Sequence, residues 1–323
     1  MGLALQGGGS HGAFTWGVLD RLLEARINVL GVSGASAGAL NGAALVAGLA
    51  SGGHAGARAS LEALWLGVAR QALQDPLQST PLDYLLHGWN RDTSPTFQLV
   101  KNLTRVASPY QLNPAGYNPL TELLESVIDF DALRHPSAVP LFVALTSVRS
   151  GRLVLRRNAT VCARSLVASA CLPFLFQAVQ LDGEYYWDGG YTANPALFPL
   201  LLECPATDLL VVQLTVDDHP ELPTSAAAIL ERANEIAFHS SLVRELQILA
   251  GLRRSGHLRG LQSVAVHRIT ADEDLAGVGN TSRINADRDF LLHLRDLGRR
   301  RANAWLAERG RGAGGLRLED YLA

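Results

Sequence analysis

The chain is predicted to fold as an α/β protein, a three-layer α/β/α sandwich around a central, mostly parallel sheet. Three observations carry that expectation. Apolar runs of strand length alternate with helix-length stretches along the 323 residues, the order that builds parallel sheets covered by helices on both faces. The run Leu209–Leu214 is almost continuously apolar, as a strand covered on both sides requires. The first two runs each end in a glycine turn that opens a helix. Gly7-Gly8-Gly9-Ser10-His11-Gly12 follows Met1–Leu5, and Gly34-Ala35-Ser36-Ala37-Gly38 follows Ile27–Val32.

Taken in order, strands are expected at Gly2–Gln6, Val29–Ser33, Val139–Ser147, Arg152–Arg156, Tyr185–Trp187, Leu209–Leu214 and Ser263–Ile269. Helices are expected at Gly12–Arg26, Ala37–Ala50, Leu61–Leu73, Pro119–Val127, Pro195–Leu202, Ala226–Leu252 and Ala286–Glu308. Within Ala226–Leu252, the residues Ile229, Ala233, Ile236, Leu242, Leu246 and Leu249 recur at three- and four-residue intervals and form one apolar stripe. The section Ser79–Asn118 is rich in Pro, Asn and aromatic residues. It reads as a helical insertion, either a lid over a substrate or a cover for the sheet edge. The expected organisation is a catalytic domain over 1–215, carrying the insertion 79–118, and a helical C-terminal extension over 216–323 packed on the same domain.

Hydrophobic residues make up 48% and charged residues 18%, which describes a globular protein with a substantial core. The 28 basic and 30 acidic residues leave a net charge of −2, so there is no electrostatic case for nucleic acid or for an anionic membrane surface. Cys162, Cys171 and Cys204 are odd in number and widely spaced, which predicts reduced thiols and neither a disulfide framework nor a zinc site. No leader pattern or membrane-length apolar segment is seen, and the expected location is cytoplasmic. The aromatic insertion permits transient contact with a lipid surface. Oligomeric state is not legible.

The chemistry follows from the two glycine turns. Gly7, Gly9 and Gly12 also fit the dinucleotide fingerprint, but that fold needs a carboxylate at the end of the second strand, and this strand ends Leu30-Gly31-Val32-Ser33. A row of backbone N–H groups at a helix N-terminus instead suits a developing negative charge. The second turn has the Gly-x-Ser-x-Gly form of a nucleophile elbow, in which Gly34 and Gly38 leave room where strand and helix backbones nearly touch. Ser36 is thus the candidate nucleophile, and the helix dipole behind it favours its alkoxide. An α/β-hydrolase places this serine after its fifth strand; here it follows the second, which argues against that fold. His219, His239, His257, His267 and His293 lie downstream, but none sits in a glycine-tight loop at a strand end. Asp188, in Tyr186-Trp187-Asp188-Gly189-Gly190, ends an aromatic strand and opens a glycine turn. It is the better base, provided that desolvation by its aromatic neighbours raises its pKa.

The order Gly-Gly-Gly-x-x-Gly, Gly-x-Ser-x-Gly, Asp-Gly-Gly resembles the patatin-like phospholipases, lipid acyl hydrolases with a Ser–Asp dyad. The stretch Ala168–Phe176, followed by Asn194-Pro195, is similar to the family's segment around its aspartate. The resemblance spans Gly2 to Leu214 and implies Ser36 as nucleophile and Asp188 as general base. It further implies an oxyanion hole from Gly7, Gly8 and Gly9 with Ala37, and structural support from Gly12, Gly34, Gly38, Gly189 and Gly190. One departure is His11, where the family usually carries Arg or Lys. A titratable group there is expected to modulate the site, to weaken any preference for a phosphate-bearing substrate and to make activity depend on pH near neutrality. The implied substrate is a lipid or other acyl ester, with no metal or cofactor. An acyltransferase sharing the dyad and a non-catalytic lipid-binding protein remain the alternatives.

Overall fold

A computed structural model of the chain describes residues 1–72, 107–205, 208–216, 222–255, 264–275, 280–310, 315–316 and 318–322. Among them runs one sheet of eight strands: β1 (Gly2–Leu5), β2 (Gly31–Gly34), β3 (Leu141–Ser147), β4 (Leu153–Arg157), β5 (Val179–Leu181), β6 (Glu184–Asp188), β7 (Asp208–Gln213) and β8 (Ala265–Thr270). The order is β5-β6-β3-β2-β1-β7-β8, with β4 paired to β3. Pairings β3–β2, β2–β1, β1–β7 and β7–β8 are parallel, whereas β4, β5 and β6 join antiparallel. The expected α/β class is therefore the observed one. Residues beyond 215 add β8 to the same sheet.

Side-chain alternation along the central strands makes the layers. Leu3 and Leu5 of β1, with Leu210 and Val212 of β7, face one apolar cluster, whereas Ala4, Leu209 and Val211 face the other. The first cluster is covered by α1 (Gly12–Glu24), α2 (Ala37–Ala72) and, near the C-terminus, a helix at Arg288–Gly310, through residues such as Phe14, Leu45 and Phe290. The second is covered by helices at Phe198–Glu203 and Ala226–Ser255 through Leu200, Leu242, Leu246 and Leu249. Each such fully buried side chain contributes about 1.5–3 kcal/mol. The two helices expected at 37–50 and 61–73 form one element with a break at Gly52 and Gly53, whose dihedrals are non-helical.

Two differences from expectation matter. Sequence reading passed over Val179–Leu181 and the helix α3 (Ala163–Ser169); both are short, and neither shows a clean period. The apolar stripe expected over Ala226–Leu252 holds only in the second half of the observed helix α4 (Ala226–Ser255). Leu242, Leu246 and Leu249 are buried, but Ile229 and Ile236 are half exposed. Most of the insertion (79–106) lies outside the described residues, and within 107–118 a turn of helix at Pro109–Leu112 is capped by Ser108.

The decisive feature is how β3 is shared. On one edge β4 pairs along Phe142–Thr146. The other edge carries two strands end to end: β2, parallel, on Leu141–Val143, and β6, antiparallel, on Leu145–Ser147. Because β2 and β6 run toward each other, their C-terminal ends converge on Ala144. Gly189, directly after β6, has no room for a side chain, since a Cβ would enter the Ala144 carbonyl. A Gly189→Ala variant is expected to lose about 1–3 kcal/mol, read as a lower melting temperature by circular dichroism.

Candidate active site

The convergence brings together the two turns that the sequence singled out. Past Gly34 the chain reverses sharply, and Ser36 takes φ +52°, a left-handed conformation costing a non-glycine residue about 1–3 kcal/mol. A Cβ on Gly34 would strike the Gly38 backbone, and one on Gly38 the Leu5 carbonyl; the glycine spacing is a steric requirement. The Ser36 N–H donates to Ser169 Oγ at 3.0 Å, and that hydroxyl donates to the Ala144 carbonyl at 2.7 Å. Thus α3 pins the elbow to the same residue at which the strands meet.

Asp188 is fully buried. Its N–H donates to the Cys171 carbonyl at 2.8 Å and its own carbonyl accepts from Thr146 Oγ1 at 2.8 Å. Oδ1 accepts from the Gly190 N–H at 2.8 Å, while Oδ2 is buried without a hydrogen-bond partner. Burial pushes the carboxyl up to about 7, and the Gly190 N–H and the nearby Ser36 hydroxyl pull it back only in part. The Ser36 hydroxyl thus lies within reach of the carboxyl and lowers its pKa, although Oδ2 has no hydrogen bond of ordinary geometry. The desolvation expected from Asp188's surroundings is present.

Gly7 departs from expectation. Its N–H donates to Asn194 Oδ1 at 2.7 Å, so it is already spent on holding the turn. Gly8, Gly9 and Ala37 line the same cavity as Ser36 and Asp188, and among the described residues their amides have no acceptor. Gly12 packs against Ala37 and Gly190 against Phe238, each with no space for a Cβ.

His11 departs further. It is buried, and burial together with the neighbouring Arg283 lowers its pKa to about 3. Nε2 sits 2.6 Å from Ser282 Oγ. The imidazole is neutral across the physiological range, so the expected pH dependence near neutrality does not come from it. Of the other histidines, His87, His219 and His257 lie outside the described residues. None of the described ones lines the cavity, and His239 is 2.9 Å from Thr215 Oγ1.

The cavity holds about 530 Å³. One wall is apolar, built from Leu40, Trp65 and Val68 of α2 and from Leu172, Leu175 and Phe176. Apolar lining is expected from the sequence at Leu172–Phe176 and in the insertion 79–118; the first is present, none of the described residues 107–118 lines the cavity, and the α2 contribution is unexpected. The lining also carries Glu231, Asn234, Glu235 and Phe238 of α4, with Arg283. Sequence reading missed this wall. The i, i+3, i+4, i+7 spacing of those four α4 residues is its only local signal. Among the described residues no group of His, Cys, Asp and Glu is arranged to hold a metal, and no helix is long and apolar enough to cross a membrane.

A family model for the patatin-like phospholipases matches residues 3–201, more than half of the chain. The chain belongs to that family. No curated protein matches the sequence. Among solved structures, that of VipD from Legionella pneumophila is similar, with 16% identity and a TM-score of 0.41. The match covers 91% of this chain and 66% of that one, so this chain spans just under two thirds of VipD's length.

The buried carboxyl makes a stability prediction for this patatin-like chain. From its ordinary value of 3.8 up to about 7, native Asp188 keeps a proton that the unfolded chain releases, so its contribution is full at low pH and is lost as pH rises through about 7. Asp188→Asn, which never ionises, is expected to melt increasingly above the wild type as pH goes from 5 to 8, measured by differential scanning fluorimetry across that range.

Proposed function

We propose that this patatin-like chain is a serine acyl hydrolase that cleaves carboxylic esters of lipids through Ser36 and Asp188. The supporting observation is that a strained serine, a buried carboxyl with a raised pKa and the unpaired amides of Gly8, Gly9 and Ala37 all face one largely apolar cavity.

In the first half-reaction Ser36 Oγ attacks the ester carbonyl carbon while its proton passes to the free Asp188 Oδ2. The carbonyl oxygen becomes an oxyanion against amides that have no other acceptor, at the positive end of α2. Collapse breaks the bond to the alcohol, which leaves with the proton from Asp188, and the acyl group remains on Ser36. Water then attacks that acyl ester, giving its proton to the same carboxylate. Expulsion of Ser36 Oγ, which takes the proton back, releases the fatty acid. A base must be unprotonated, and a pKa near 7 makes proton transfer from a hydroxyl far less uphill than an ordinary carboxylate allows. The apolar wall of α2 and Leu172–Phe176 suits an acyl chain.

Two measurements test this reading. A fluorophosphonate probe is expected to label wild type and not Ser36→Ala. On p-nitrophenyl esters from acetate to palmitate, Ser36→Ala and Asp188→Asn each lose about 10³-fold or more in kcat; no labelling and no turnover by fresh wild type would end the proposal. For wild type, log kcat/KM is expected to rise with pH and level off above about 7, the limb belonging to Asp188. A limb that persists in Asp188→Asn would assign it elsewhere.

A further inference from the structure

The family match ends at residue 201, yet part of the cavity wall comes from Arg283, far beyond it. The segment Asn280–Ile284 packs directly on the glycine turn. Gly9, at φ +60°, leaves no space between its backbone and the Arg283 carbonyl, and Ser282 Oγ meets His11 Nε2 at 2.6 Å. These contacts fix where Arg283 stands: its backbone lies against the turn that presents the free amides, and its side chain lines the cavity that holds Ser36.

The guanidinium is incompletely satisfied. Its side chain is 28% exposed, and among the described residues its ion pair is Nη2 to Glu235 Oε1 at 3.4 Å, the long end of hydrogen-bonding range. Glu235 is shared, since Arg232 Nη1 also reaches it at 3.5 Å. Arg283 Nε is buried without an acceptor. Burial lowers the Arg283 pKa, and Glu235 and Glu231 oppose that shift, but a guanidinium remains charged at any working pH. A planar, permanently charged fork with an unused N–H in a partly dry cavity wall is matched to phosphate oxygens. Nε is enclosed, so a substrate phosphate in the cavity would meet the Nη groups, which hold Glu235 only by the long 3.4 Å contact.

We infer that Arg283 is a specificity-determining residue of the proposed hydrolase, binding a phosphate group carried on the alcohol side of the scissile acyl ester. The inference rests on the hydrolase reading of Ser36 and Asp188. It restores to the site a fixed cation that His11, neutral and buried, does not provide. The acyl chain takes the apolar wall of α2 and the phosphate takes the wall formed by α4 and Arg283.

The test compares two substrates that differ only in the phosphate: 1-oleoylglycerol 3-phosphate and 1-oleoylglycerol. The quantity read is the ratio of their kcat/KM values. Arg283→Gln is expected to lower that ratio about tenfold to a hundredfold, and Arg283→Lys to give an intermediate value. Glu235→Gln, which removes the competing carboxylate, is expected to raise it. A role confined to bracing the glycine turn would lower both rates together and leave the ratio unchanged in all three variants, which would overturn the inference. Should Arg283→Gln not fold, the opposite displacements in Arg283→Lys and Glu235→Gln carry the same decision. Wild type that hydrolyses both esters with the ratio of the variants sinks this inference alone. Wild type that neither reacts with a fluorophosphonate nor hydrolyses either ester sinks the hydrolase reading with it.

Discussion

The site depends on a single edge of β3. A strand has two hydrogen-bonding edges; β4 occupies one, and the other is divided between β2 and β6, which arrive from opposite directions. Two strands meeting head-on cannot both continue, so each must leave the sheet at Ala144. The elbow carrying Ser36 is the exit of β2, and Asp188 is the last residue of β6. Sequence separation of about 150 residues is thereby closed by ladder registers alone, in which a one-residue slip would turn every side chain to the other face. The Ala144 carbonyl accepts from Ser169, which in turn holds the Ser36 amide, so the meeting point is itself bonded to the elbow.

The neighbouring glycine turn is fixed by a second buried network. Gln6, fully buried at the end of β1, accepts through Oε1 from the Leu214 and Thr215 amides at 2.6 and 2.8 Å. Asn194 Oδ1 takes the Gly7 amide on one side, and its own N–H donates to Ser241 Oγ on α4 at 3.0 Å. The exits of β1 and β7 and one face of α4 are therefore locked together by polar groups that have no alternative partners in a dry interior, where a broken bond costs its full desolvation. This explains why Gly7 is structural while its two successors keep their amides.

Much of this was legible because the constraints are local. Glycine 34 is dictated by backbone contact within the elbow itself, and the two-faced burial of Leu209–Val212 is written in its uninterrupted apolar run. Asp188 was legible as an acid opening a glycine turn; its burial is observed, but Tyr185, one of the neighbours expected to supply it, is exposed. Arg283 was not, since nothing near residue 283 signals that its backbone will press on Gly9. His11 read as a titratable group because its burial is tertiary, supplied by Ser282, Arg283 and Phe290 from a segment about 270 residues away. The apolar stripe of α4 was misjudged at its N-terminal half for the same reason: that half borders the cavity with Glu231, Glu235 and Phe238, and helical periodicity alone does not say which side a cavity will open on.

Energetically, the cavity wall concentrates features that folding by itself disfavours. Ser36 is held in a conformation costing about 1–3 kcal/mol. Asp188 is a carboxyl buried so completely that ionising it near neutrality is opposed. Three backbone amides, one carboxylate oxygen and one guanidinium nitrogen have no partner inside the described chain. Buried donors and acceptors are almost always satisfied in folded proteins, so scattered exceptions would each need a separate reason. Others lie elsewhere, as at Thr15, Ser33, Ser60, Arg156 and Trp305; those named here belong to residues that line one cavity, with donors at the glycine turn, the α2 N-terminus and Arg283, and an acceptor at Asp188. In the proposed reaction the guest against these groups is an ester whose carbonyl oxygen gains negative charge and whose attacking group surrenders a proton. The same groups that lower the stability of the empty fold are the ones such a guest would use.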